Sequence, residues 1–189
     1  MTHAKNLGRR EWIAGADYQE AEPSVLWLYK VFRHRASGRH IWVAFDRFVG
    51  FEHAGHLADA VKQKHRPGSM IVIDDASGEY RILHGRASTN SSARLMQDAG
   101  FDLRHHSKNP LVRDRVNALL ALMAPVAGEP RWRYVPSVAK RICDTMERIR
   151  WKGNKLDKEQ HVDHDFDALT YPLEFFDPAA PRALTYLRL

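Results

Sequence analysis

Short apolar runs separated by turn-forming breaks dominate the first part of the chain, and helical spacing of apolar positions takes over after it. Trp12-Ile13-Ala14-Gly15-Ala16-Asp17 is an apolar run closed by a carboxylate. Val25-Leu26-Trp27-Leu28-Tyr29 lies in a second run, from Ser24 to Phe32, bounded by Pro23 and by Ser37-Gly38. A third run spans His40 to Val49 and begins His40-Ile41-Trp42-Val43-Ala44-Phe45. Such runs, rich in aromatic and β-branched residues and joined by short turns, predict an antiparallel meander of three strands. Trp12, Trp27, Trp42 and Trp132 are expected in the core, and Trp151 nearer the surface.

Leu57, Ala60 and Val61 then stand at helix spacing and place a helix over residues 53–64, stopped by Arg66-Pro67-Gly68. Met70-Ile71-Val72-Ile73-Asp74 reads as a buried strand; a helical crossover precedes it, so it should run parallel to an earlier strand. A short helix over 91–99 is closed by Gly100, and Phe101-Asp102-Leu103-Arg104 predicts the next strand. Pro110 opens a longer helix whose expected apolar stripe is Val112, Val116, Leu119, Leu120 and Met123. Arg131–Val135 predicts a strand, Pro136 a helix to about Arg150, and the charged stretch Lys152–Gln160 a mobile loop. The last helix starts near Asp163 and meets Pro172 inside its pattern, which leaves its length open. The expected fold class is α/β: a mixed sheet, antiparallel in its first three strands and parallel thereafter, with helices on both faces. Residues 1–10 are expected as a flexible basic lead-in and 11–189 as one domain.

The 189 residues are 44% hydrophobic and 28% charged, an ordinary globular balance. The single cysteine, Cys143, excludes an intrachain disulfide or a multi-cysteine zinc site, and is expected to be inert. A reducing cytoplasm is the expected location. No apolar run approaches the ~20 residues of a membrane span, so no membrane partner is expected. The formal net charge of +6 favours a polyanionic partner such as DNA, although the charge is dispersed. Of the histidines, only His53-x-x-His56 has suggestive metal spacing, and it is weak.

Three acidic groups stand out by position. Asp17 and Asp74 each close an apolar strand, with Asp75 directly after the second, and Asp163-His164-Asp165-Phe166-Asp167 opens the last helix. At 3.6 residues per turn Asp163 and Asp167 differ by about 40°, and His164 lies on the same side, while Asp165 points away. If the two acid-ended strands are sheet neighbours, their carboxylates face this helix end. Crowded carboxylates need cations, and hard ions such as Mg²⁺ or Mn²⁺ suit oxygen ligands. Two ions ~3.5–4 Å apart could then hydrolyse a phosphodiester, with Asp17 bridging both, Asp74 on one and the Asp163/His164/Asp167 face completing the other. Each member has a plainer reading: Asp17 and Asp74 as turn formers, Asp163 as a helix N-cap. Arg104, His105, Lys108, Arg113 and Arg115 form a candidate phosphate-contacting patch. Lys108 is the member best suited to stabilise transition-state charge. Lys152 and Lys155, in the predicted loop, are candidate DNA contacts and that loop a candidate gate.

At these residues the chain resembles the nuclease domain of viral large terminases, the DNA-packaging motor subunits of tailed bacteriophages. Asp163-His164-Asp165-Phe166-Asp167-Ala168-Leu169-Thr170-Tyr171 is similar to the family's Asp-His-x-x-Asp-Ala-Leu-Arg-Tyr ending. Gly15-Ala16-Asp17 and Ile71-Val72-Ile73-Asp74-Asp75-Ala76-Ser77 resemble its two acid strands. Gly100, Lys108, Arg115, Trp132-Arg133-Tyr134-Val135-Pro136, Glu147 and Trp151 fall in the family's order. The resemblance covers residues 11–176 and departs at Thr170, where Arg is usual, and at Pro172.

It implies an RNase H-like fold and a metal-dependent endonuclease that cuts double-stranded DNA with two Mg²⁺ or Mn²⁺ ions. Asp17, Asp74, His164, Asp167 and Lys108 would be its catalytic residues, with Asp163 beside them. It also implies three partners: a terminase ATPase half, the small terminase and the portal. The chain has no Gly-x-x-x-x-Gly-Lys-Ser/Thr loop, and Gly85–Ser91 lacks the lysine, so no ATP site is expected. Either the chain is an excised domain or the two halves are separate chains. The competing expectations are another RNase H-like nuclease (a Holliday-junction resolvase or a ribonuclease H) and a non-catalytic DNA-binding or portal-docking module.

Overall fold

A computed structural model describes residues 12–18, 24–51, 53–66, 68, 70–74, 92–125, 128–152, 155–156 and 163–179. The expected lead-in over residues 1–10, Asp75 and Gly85–Ser91 lie outside the described residues. The meander is present as β1 (Trp12–Asp17), β2 (Ser24–Arg33) and β3 (His40–Phe51). β1 pairs antiparallel with β2, and β2 with β3. α1 (Ala54–Lys64) carries the chain to β4 (Met70–Asp74), which pairs parallel with β1, as a helical crossover requires. α2 (Ser92–Asp98) leads to β5 (Asp102–His105), parallel to β4; α3 (Val112–Met123) leads to β6 (Trp132–Tyr134), parallel to β3. The six strands lie in the order β5-β4-β1-β2-β3-β6, which puts β1 and β4 near the centre.

Pleat alternation sorts the strand residues between two cores. Ile13, Trp27, Tyr29, Ile71 and Ile73 pack with α3 and with α4 (Pro136–Arg148) and α5 (Asp163–Phe176). Ala14, Ala16, Leu26, Leu28, Met70 and Val72 pack on the other face with α1 and α2. Full burial on both faces explains why β1, β2 and β4 read as continuous apolar runs rather than alternating ones. Trp27, Trp42 and Trp132 are core, while Trp12 is half-buried against Phe45 and His65.

Three expectations need correction. Leu120 and Met123 of α3 are exposed, and the buried positions are Arg115, Ala118, Leu119 and Leu122. A charged residue on the inner face shifted the apparent apolar stripe. The expected loop after residue 151 contains a hairpin, β7 (Trp151–Lys152) paired antiparallel with β8 (Lys155–Leu156). Its two-residue Gly153-Asn154 connection was a hairpin signal in the sequence. Pro172 does not interrupt α5, which runs through it to Phe176. Proline at 172 supplies no N–H to the Ala168 carbonyl one turn back, and that carbonyl faces Gly15 of β1. A Cβ on Gly15 would lie 1.9 Å from Ala168 O and 2.5 Å from Pro172 Cδ. The helix backbone thus rests on the strand where the strand has no side chain.

Candidate active site

Parallel pairing of β1 with β4, with Gly15 opposite Ile73, makes both strands end at one edge of the sheet. Asp17 and Asp74 sit at that edge, each 3% exposed. Asp17 continues the phase of Ile13 and Gly15, toward α5, whereas Asp74 continues that of Met70 and Val72. Tyr18 lies with the second group, and its phenol is held well above its ordinary pKa by burial and then by the negative charges of Asp74 and Asp17. The two strand-end acids therefore act on one phenol although the pleat starts them toward different faces.

The N-terminal turn of α5 meets this edge. His164 Nδ1 lies 2.9 Å from Asp17 Oδ2, and His164 Nε2 lies 3.9 Å from Asp163 Oδ1. Residues 147 positions apart are thereby joined. Asp163 is buried and His164 half-buried. Asp167 carries the positive charge of Arg115 at 2.6 Å. Burial pushes the Asp167 carboxyl above its ordinary pKa; the Arg115 charge and hydrogen bond oppose that, and Asp17 and Asp163 add to it. The Arg115 guanidinium also reaches Thr170 Oγ1 at 3.2 Å and covers the Tyr171 ring at 4.6 Å. Arg115 was expected on a DNA-facing surface; it is 3% exposed and serves the interior instead.

Asp165 points away from the Asp167 face, as the helix period requires, but it is buried. It accepts from Trp27 Nε1 at 3.1 Å, from Arg47 Nε and Nη2 at 2.6 and 2.7 Å, and from Arg141 Nη2 at 2.9 Å. One carboxylate therefore ties β2, β3 and α4 to the start of α5 and fixes where His164 and Asp167 stand. Nothing in the local sequence separates this structural Asp from its two neighbours except its helical phase.

The basic candidates divide. In the β4–β5 register His105 is opposite Asp74, so the end of β5 and the segment after it lie at the acidic edge. His105 is exposed, as is Lys108 three residues on. Arg104 is drawn back to Asp102 at 2.8 Å. His106 lies 2.9 Å from Glu174 and edge-on to the Phe175 ring at 4.9 Å, so this segment packs on α5. Arg113 is exposed on α3, 3.7 Å from Asp114. Lys152 and Lys155 lie in the small hairpin, and their side chains are outside the described residues. His53 caps α1, accepting from Gly55 N, and Cys143 is exposed.

Among the described residues, no group of three or more His, Cys, Asp or Glu side chains is already arranged around a cation position. The donor chemistry nevertheless fits a hard divalent ion. Asp17, Asp74 and Asp163 are buried carboxylates of one sign, and Asp167 is destabilised as an anion by two of them.

No family model matches the sequence, and no curated protein matches it significantly. Solved structures do. The P22 large terminase nuclease domain superposes with a TM-score of 0.61 at 16% identity, over 89% of this chain and 83% of that one. The SPP1 bacteriophage large terminase nuclease domain, solved with bound Mn, gives 0.55 at 17% identity, over 89% and 88%. This chain has the fold of a large-terminase nuclease domain. A large terminase from a thermophilic bacteriophage matches with a TM-score of 0.59 at 14% identity, and there the chain spans 40% of the partner's length. The RNase H-like mixed sheet expected from the resemblance is the one observed. Thr170, a departure from the resembling motif, accepts from Arg115 Nη1 of α3 at 3.2 Å. No described helix is long and apolar enough to cross a membrane.

Proposed function

We propose that this chain is a divalent-metal-dependent endonuclease that hydrolyses double-stranded DNA, acting as the cutting part of a viral genome-packaging motor. One observation carries the reading: β1, β4 and α5, far apart in sequence, bring Asp17, Asp74 and the Asp163–Asp167 turn to one sheet edge, with His164 2.9 Å from Asp17. The Mn bound in the similarly folded SPP1 domain supports the choice of metal.

In this reading Asp17, Asp74 and Asp163 hold Mg²⁺ or Mn²⁺ ions, two by preference. The bound ions would lower the pKa of a hydrolytic water and offset charge on the phosphate. His164, 2.9 Å from Asp17 Oδ2, orients the Asp17 carboxylate that would hold the ion. Arg115 fixes the rotamer of Asp167 and offsets part of the charge that Asp17 and Asp163 impose on it. Lys108 and His105, exposed beyond β5, contact the phosphates, with Arg113, Lys152 and Lys155 as outer contacts. The ATPase half is a proposed partner because the similar large terminase extends well beyond this fold, and the small terminase and the portal are proposed from the family resemblance alone.

The test is plasmid cleavage in Mn²⁺ by the wild type and by Asp74→Asn. The neutral isostere keeps the shape and removes the charge, so cutting should fall by at least about 100-fold if the site acts through electrostatics. Cleavage by the variant at the wild-type rate would show that these acids serve only the fold. Comparing linear duplex, four-way junction and RNA–DNA hybrid distinguishes the packaging nuclease from a resolvase or a ribonuclease H.

A further inference from the structure

The edge of the sheet opposite the acids is strongly basic. β2 runs away from Asp17, whose register partner is Val25, and ends at Arg33. The turn to β3 therefore lies roughly 26 Å from the acidic edge at ~3.3 Å per residue. This turn reads Arg33-His34-Arg35-Ala36-Ser37-Gly38-Arg39-His40, and Arg33, His34, Arg35 and Arg39 are all exposed. The connection from α3 to β6 arrives at the same end, because β6 is parallel to β3. Between the two segments is a cleft of about 360 Å³, lined by His34, Ser37, Arg39, Arg131 and Arg133 among others. Glu129 is its one acidic lining residue, and its side chain is 89% exposed.

The charge at this end is only partly offset. Arg131 spends Nη1 on His40 O at 3.1 Å and on Asp177 at 3.4 Å, while its buried Nε has no acceptor among the described residues. Among the described residues Arg133 meets one acid, the exposed Glu129 at 3.7 Å, too long for a hydrogen bond. The turn itself is held in shape by Arg33 Nε donating to Gly38 O, by His34 Nδ1 against Ser37 Oγ, and by Gly38 N donating to His34 O.

We propose that this cleft is a second phosphate-binding site, which takes the sugar-phosphate backbone of a nucleic acid at the edge opposite the acids. The cleft is large enough for one nucleotide unit. The exposed Arg39 and Arg133 match a phosphate's oxygens, and Ser37 supplies a hydroxyl. A free nucleotide shares the phosphate chemistry, but Arg33 and Arg35 extend the charge past the cleft, where only a polymer has further phosphates. The inference rests on the nucleic-acid partner proposed above and not on the carboxylates.

Binding of a fluorescent 30-base-pair duplex to the whole chain, in EDTA so that nothing is cut, tests it. Anisotropy titrations across a salt series would compare the wild type with the double variant Arg39→Ala/Arg133→Ala. Both side chains are on the surface, so folding should survive; circular dichroism checks that. The slope of log K against log salt should flatten by about 1.8 for two lost phosphate contacts, with affinity near 0.15 M salt about tenfold weaker. The charge-matched control Lys62→Ala/Arg94→Ala, on α1 and α2, should keep the wild-type slope. An unchanged slope in the cleft variant, or an equal fall in the control, overturns the inference while leaving the nuclease reading standing. Absence of any duplex binding by the wild type overturns both. ADP binding that the cleft variant abolishes, with duplex affinity unaltered, would assign the cleft to a free nucleotide and overturn the backbone.

Discussion

Replacing Gly15 with alanine tests how tightly the site is tied to the fold. The added Cβ would sit 1.9 Å from the Ala168 carbonyl oxygen and 2.5 Å from Pro172 Cδ, where real contacts are not found under 3.0 Å. Both opposing atoms belong to rigid groups, a helix backbone and a proline ring, so no side chain can swing aside. α5 must retreat from β1 by about 1.1 Å to restore a tolerable separation. A retreat of that size along the contact would stretch the His164–Asp17 pair, now 2.9 Å, to about 4 Å. The overpacking costs about 3 kcal/mol or more, since the packed cores on both sides of β1 resist the shift. Urea denaturation would show the midpoint falling with the m-value unchanged. Cleavage at a concentration where the variant is still folded should drop by about 100-fold, the expected result of a 1 Å misplacement. A Gly15→Ala protein as stable and as active as the wild type would refute the close approach of α5 to β1.

Three further outcomes follow from the same contacts. Arg115→Met leaves Asp167 as a half-buried unpaired anion and should cost about 3 kcal/mol, the lower part of the range for a broken buried pair because Asp167 keeps 21% exposure; thermal unfolding measures it. Mn²⁺ should raise the melting temperature by about 5–10 °C at 100 times its dissociation constant, with no rise in Asp17→Asn, since ligand binding at that level contributes about 2.7 kcal/mol. Asp177 governs the acid limb. Burial raises its carboxyl pKa, but hydrogen bonds from His40 and Trp42 and the charges of His40 and Arg131 outweigh that and hold it below the ordinary Asp value. A depressed folded pKa gives stability that is complete above the unfolded value of 3.8 and is lost as pH falls through the folded one. Asp177→Asn should therefore lose about 2 kcal/mol at pH 7 and show a flatter decline below pH 4, as followed by urea midpoints across pH.

Much of this architecture was legible because its elements announce themselves locally. β1, β2 and β4 are apolar runs closed by turns, and the helical spacing of Leu57 and Val61 marked the crossover that makes β4 parallel to β1. That inference left the partner strand open, and Asp17 and Asp74 share an edge because the partner is β1. The 3.6-residue period likewise separated Asp165 from the Asp163/His164/Asp167 face. It could not reveal that Asp165 would be buried among Trp27, Arg47 and Arg141, because those partners arrive from β2, β3 and α4 through long-range packing.

Apart from the β7–β8 hairpin, whose signal was local, the positions that misled the sequence reading share a physical reason: each is a polar or irregular residue whose partner lies across the fold. Arg115 occupies a core position of α3 only because Asp167 waits opposite, and its charge displaced the predicted stripe onto Leu120 and Met123. Pro172 read as a breaker because helix rules consider only the helix. Its missing N–H is tolerated at a point where the freed carbonyl faces a strand glycine. Gly15, Pro172, Arg115 and Thr170 therefore form one arrangement rather than four exceptions. The glycine lets α5 approach β1, the proline fits that approach, and beside that contact Asp167 meets the Arg115 guanidinium of α3 at 2.6 Å. An arginine at 170 would have to share this volume with Arg115, which already contacts Thr170 Oγ1 at 3.2 Å. Thr170 and Pro172, the two departures from the resembling motif, sit where α5 meets Arg115 and Gly15, so restoring arginine at 170 alone should disturb the Arg115–Asp167 pair.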